Sequence, residues 1–106
     1  MTDPNQPPRH EIQLADIFAA LSDPQRLAMV AELHKRGEAV CGTLATDMPK
    51  STRSHHLKVL REAGVTTTEI DGVERHVSLR YDCLNARFPG LLDSILGATA
   101  LKKARR

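Results

Sequence analysis

Residues 50–64, reading KSTRSHHLKVLREAG, interleave short hydroxyls, histidines and lysines with leucines at a helical spacing. At 100° per residue, Ser51, Ser54, His55, Lys58 and Glu62 share one side. Leu57 and Leu60, with His56 and Ala63 behind them, share the other. The polar side offers recognition chemistry rather than bond making. Hydroxyls and an imidazole present donors and acceptors suited to base edges in a major groove, and ammonium groups neutralise phosphates. Gly64 ends the helix. Many amphipathic surface helices share this division, so the elements around it must decide the reading.

Other reactive side chains give weaker patterns. Cys41 and Cys83 are too few and too far apart to announce a disulfide framework. They read as small packing residues. His55 and His56 are adjacent, hence about 100° apart on a helix, and cannot chelate one ion together. His10, His34 and His76 fall in separate elements. A tight zinc site needs four convergent ligands, so no metal is expected. Without a phosphate-binding glycine loop, paired carboxylates in register or a nucleophile beside a base, neither an enzyme nor a cofactor is expected.

The chain has 106 residues, one small domain with little room for a deep active site. Aromatics are 3% and Trp is absent, which removes the stacking platforms that grip single strands and favours double-stranded DNA as the partner. With a net charge of only +2, affinity for a polyanion depends on where the cations sit. No apolar run approaches the ~18 residues of a membrane span, and the polar, proline-rich start is unlike a signal sequence. The expected location is cytoplasmic, with no membrane partner.

Residues 1–9 hold three prolines and no apolar period, and read as a flexible arm. The folded domain is expected over 10–101 and a basic tail over 102–106, with Lys102, Lys103, Arg105 and Arg106. Leu14, Ile17, Phe18 and Leu21 mark a first amphipathic helix, which Ser22 and Asp23 interrupt. Asp23 as cap and Pro24 at the first helical position start a second helix to Arg36, with Leu27, Val30, Ala31 and Leu33 inward and Gly37 as its stop. Glu38–Val40 suits one short strand. Residues 41–48 read as a brief third helix with Leu44 and Ala45 inward, and Pro49 separates it from the helix at 50–63.

A short helix, a break and a second helix form the helix-turn-helix pattern, in which the second member enters the groove. Residues 65–70 and 73–81 are β-rich around Asp71-Gly72, a strong two-residue hairpin signal, and so form a wing carrying Arg75 just past the turn. The fold class expected is therefore mainly α with a small β-hairpin wing, a winged helix-turn-helix. Candidate DNA contacts are Lys50, Ser51, Thr52, Ser54, His55, Lys58, Arg61 and Arg75. Arg53 either snorkels toward a phosphate or pairs with an acid. Leu84, Phe88, Leu91, Leu92, Ile95 and Leu96 follow at steps of three and four, with Pro89 bending or restarting that helix. This is more apolar surface than one small domain covers. The first and last helices are therefore expected to form a homodimer interface through Leu14, Ile17, Phe18, Phe88, Leu91, Leu92 and Ile95. Two recognition helices about 34 Å apart would then read an inverted repeat. A different class, a winged-helix module that binds protein, would want an apolar or acidic outer face on residues 50–62.

The segments FAALSDPQRLAMVAELHKR (18–36) and KSTRSHHLKVLREAGV (50–65) resemble the ArsR/SmtB winged-helix transcriptional repressors, a likeness covering roughly residues 12–98. The resemblance implies a homodimer that binds promoter DNA and is released by an effector, here unknown. Departures matter. Where family members often have a serine cap, this chain has Pro49, leaving Lys50 or Ser51 to share that role. The Cys-x-Cys of soft-metal sensors is Val40-Cys41-Gly42 here. Of the zinc ligands on the last helix only Asp82 has a counterpart, with Leu84, Ile95 and Ala98 at the others. Two-cysteine members use disulfides or polysulfide bridges as signals, so the resemblance implies, as an alternative, a redox pair at Cys41 and Cys83, although sulfur-sensing members place their cysteines differently.

Overall fold

A computed structural model describes the backbone of residues 5–104 and the side chains as far as Thr99. The first four residues of the expected arm, and the side chains of the basic tail, lie outside the described residues. Five α-helices and three strands are described: α1 (Leu14–Ala20), α2 (Pro24–Arg36), β1 (Glu38–Val40), α3 (Lys50–Ala63), β2 (Thr66–Asp71), β3 (Glu74–Leu79), α4 (Tyr81–Arg87) and α5 (Leu91–Ala104).

Local chemistry sets most of these boundaries. The Asp23 carboxylate accepts from the amides of Gln25 at 2.7 Å and Arg26 at 3.2 Å, and Pro24 takes the first helical place, where no amide is needed. Gly64 ends α3 at φ +89, and a Cβ there would sit 2.7 Å from the Ile12 side chain, so both conformation and space demand glycine. α4 and α5 are separated at Phe88–Gly90, the break expected at Pro89.

The sheet is antiparallel in the order β1-β3-β2. The short strand at 38–40 is thus not isolated: it pairs with β3, Glu38 opposite Ser78 and Val40 opposite His76. The hairpin closes one residue later than expected. Asp71 pairs with Glu74, so the two-residue loop is Gly72-Val73, with Gly72 at φ +61 supplying the positive angle that a tight hairpin needs at its first central position. β3 also stops at Leu79, and Tyr81 opens α4 rather than ending the strand.

Residues 41–48 depart furthest from expectation. Only a 3-10 turn forms, at Cys41–Thr43, although Leu44 and Ala45 are buried as predicted. The cause lies in α2. Arg36 donates to the Thr43 carbonyl at 2.9 Å and to its hydroxyl at 2.8 Å, while Glu32 accepts from the Ala45 amide at 3.2 Å. Backbone groups that a helix would pair internally are taken by side chains, and Ala45 sits at φ +51, outside the right-handed helical region.

The core joins both layers. Ile12, Ile17, Met29, Leu33, Leu44, Leu60 and Leu92 are each no more than 2% exposed. No helix among the described residues is long and apolar enough to cross a membrane.

Candidate nucleic-acid interface

α3 divides between core and solvent as its periodicity predicts. His56, Leu57, Leu60 and Ala63 are buried, and Ser51, Ser54, His55, Lys58 and Glu62 are exposed. The adjacent histidines take opposite fates: His55 faces solvent, while His56 is 5% exposed beneath the helix.

His56 is the seat of α3. Its Nδ1 lies 3.1 Å from Arg26 Nη1 and its Nε2 2.9 Å from Gln25 Oε1. A guanidinium only donates, so Nδ1 accepts and the ring proton sits on Nε2, directed at the Gln25 carbonyl. Arg26 also donates through Nε to the Ala20 carbonyl at the end of α1. Asp23 caps the turn from which both Gln25 and Arg26 project. The Ser-Asp-Pro-x-Arg and Ser-His-His-Leu segments therefore meet in space: one caps α2 and ties it to α1, and the other locks α3 onto both.

The start of α3 differs from the capped helix expected. Pro49 is the N-cap with no side-chain bond, and its carbonyl accepts from the Arg53 amide at 3.0 Å. Neither Lys50 nor Ser51 takes up capping. The first-turn amides, at the positive end of the helix dipole, are left without a side-chain acceptor from the cap residue, on the side where Lys50 and Ser51 are exposed.

Among the other candidates, Thr52 is half-buried and Arg75 is exposed near the hairpin tip. Arg75 pairs opposite Ile70 and shares the sheet face of the buried Val77 and Leu79. Arg61 is half-buried with its Nε enclosed. Arg53 is likewise half-buried with an enclosed Nε. Sequence reasoning missed Val73, fully exposed at the wing tip. Its only signal was an apolar residue beside a turn glycine.

Leu14 (40% exposed), Phe18 (54%), Phe88, Pro89, Gly90, Leu91 and Ser94 line an open groove of about 410 Å³. Two residues expected at an interface are not at this surface. Ile17 is 1% and Leu92 2% exposed, both packed in the protomer's own core, because α1 and α5 must each turn a stripe inward to close it. Ile95 is half-buried.

Cys41 and Cys83 are both free thiols and have different surroundings. Cys41 follows β1 at one sheet edge, and Cys83 lines a cleft against β2 at the other. The metal positions of the family do not fit an ion. Leu84 is a core residue, Ile95 has no donor atom, and among the described residues no three His, Cys, Asp or Glu side chains gather into a possible site.

Fold and site together define a winged helix-turn-helix DNA-binding protein. Residues 21–69 match the family described as "Helix-turn-helix domain". The chain is 43% identical over 84 residues to the uncharacterised HTH-type transcriptional regulator YceK of Bacillus subtilis (strain 168), covering 76% of this chain and 84% of that one. It is 35% identical over 88 residues to the arsenical resistance operon repressor of the same organism, covering 81% and 80%. The crystal structure of an ArsR family transcriptional regulator superposes with a TM-score of 0.61 at 27% identity, over 88% of this chain and 92% of that one. The chain belongs to the ArsR/SmtB family of winged helix-turn-helix transcriptional regulators.

Proposed function

We propose that the protein is a homodimeric repressor that binds an inverted-repeat operator in double-stranded DNA and is released by an effector. The observation that carries this reading is the polar outer side of α3, seated from beneath by Arg26 and His56. Lys50, Ser51, Thr52, Ser54 and His55 occupy the first turns, where base edges and phosphates are met, and the uncapped amides add a phosphate-binding end. Lys58 neutralises a phosphate further along, Arg61 assists from its half-buried position, and Arg75 with the wing tip reaches the flanking minor groove.

The apolar groove between α1 and the α4–α5 junction supports the dimer. Exposed Phe18 and Leu14 next to Phe88 and Leu91 suit a second copy, with Ile17 and Leu92 supporting them from below. Two-fold pairing there spaces the recognition helices by about one DNA turn.

Sequencing genomic fragments retained by the purified protein should return inverted repeats. Titrating one of them with salt should give a log-log slope of roughly −6, from three or four phosphate contacts per subunit. No enrichment, or a slope near zero, overturns the reading.

A further inference from the structure

We propose that Cys83 is a site of covalent modification by small hydroperoxides, and that its oxidation loosens the N-terminal segment from the wing. Two guanidiniums from different parts of the chain converge on its sulfur: Arg9 Nε at 3.5 Å and Arg80 Nη2 at 3.4 Å. The sulfur lines an open cleft of about 700 Å³, bounded by Gln6, Pro7, Thr67, Glu69, Arg80 and Asp82, through which a small oxidant reaches it.

Partial burial pushes the Cys83 thiol up, but the hydrogen bonds from Arg9 and Arg80, with the charges of both guanidiniums, outweigh it and hold the thiol below its ordinary value. The thiolate is the nucleophile, so this setting makes Cys83 the reactive thiol of the chain. Cys41, by contrast, is a half-buried free thiol that opens the 3-10 turn after β1.

The step balances without a second cysteine. The Cys83 thiolate attacks one oxygen of the hydroperoxide, an S–O bond forms and the O–O bond breaks. Sulfur loses two electrons to become a sulfenic acid, and the departing hydroxide, or the alkoxide of an alkyl hydroperoxide, takes a proton to become water or an alcohol.

The same residues anchor the segment before α1. Arg80 donates to the Pro7 carbonyl at 2.6 Å as well as to Cys83. Gln6 bonds the Thr68 amide at 2.7 Å and the Thr67 hydroxyl at 3.0 Å, which fastens the segment along β2. Oxidation replaces the sulfur on which Arg9 and Arg80 converge with a bulkier sulfenic acid, which displaces both contacts, and the strap loses one anchor. Because β2 is a wing strand, a change at Cys83 reaches the wing.

The chemistry can be tested without DNA. At pH 7, iodoacetamide should alkylate Cys83 about tenfold faster than Cys41, as read by peptide mass spectrometry, and Arg9→Met should narrow the gap. Hydrogen peroxide followed by dimedone should leave its adduct on Cys83, and none in Cys83→Ser. Amide exchange over β2 should accelerate after oxidation in the wild type. Equal or faster reaction at Cys41, or no dimedone adduct at Cys83, overturns the modification site. Unchanged exchange at Thr68 in fully oxidised protein overturns the link to the strap. None of these readouts depends on operator binding, so they fail or succeed separately from the repressor reading.

Discussion

α3 and the α1/α4–α5 groove both turn unpartnered surface to solvent, but their chemistry is opposite. The outer side of α3 carries hydroxyls, an imidazole and lysines above a rigid seat, which suits a hydrated polyanion that must be read at several points. The groove offers Leu14, Phe18, Phe88 and Leu91, which gain by leaving water. On the proposed function the contrast separates two jobs on one small domain: a polar face for reading and an apolar face for doubling the reader.

Disrupting the apolar face should have the largest effect. Phe18→Asp puts a charge where a second copy is expected to pack. Sedimentation velocity should report dimer association at least about 100-fold weaker, about 3 kcal/mol. Unchanged association would place the interface elsewhere.

Next comes the seat of α3. Arg26→Met leaves His56 Nδ1 and the Ala20 carbonyl without their donor, and urea unfolding should show a loss of about 2 kcal/mol. His56→Leu tests the same joint from the other side. If the two losses are independent rather than strongly coupled in a double-mutant cycle, the Arg26–His56 joint is not a unit.

Lys58→Ala sharpens the comparison on the polar face alone. Operator affinity should fall by about 1 kcal/mol per contact while the salt slope shallows by about 2 for the two subunits, with stability unchanged. A loss of affinity with no change in slope would assign Lys58 to base reading rather than to phosphate.

The smallest effect concerns the cap. Burial pushes the Asp23 carboxyl up, but hydrogen bonds from the Arg26 and Gln25 amides, with the Arg26 charge, outweigh it and hold it below its ordinary value of 3.8. A folded value below the unfolded one means that the cap's contribution is complete above the unfolded value and fades as pH falls through the folded one. Asp23→Asn should therefore flatten the acid limb of a Tm-against-pH profile, and an unaltered limb would show that other carboxylates govern it.

The periodic parts of the fold were legible in the residue order. α2 and α3 could be read because a buried stripe at 3.6-residue spacing, a cap and a stop glycine are local signals, and the hairpin because a tight turn demands glycine. The segment at 41–48 was not legible. Its apolar spacing is helical, yet Glu32 and Arg36 of α2 claim its backbone. The strap at Gln6–Pro8 was equally hidden, since an N-terminal run of prolines carries no period, while Gln6, Arg80 and the Pro7 carbonyl bond across more than 60 positions of sequence. Part of the candidate site was legible too. The exposed side of α3 could be chosen, but not the burial of Arg61, or of Ile17 and Leu92, each of which depends on a neighbour's position.

By itself, then, the sequence determined the amphipathic reading helix, its stop at Gly64, the hairpin behind it and the family motifs, because each rests on a short-range rule of spacing or backbone angle. The tertiary structure alone decided that His56 and Arg26 form the seat of that helix, that the residues before it stay irregular, and that Cys83 meets two arginines. Those outcomes come from side chains distant in sequence competing for the same polar groups, and no local pattern records who wins.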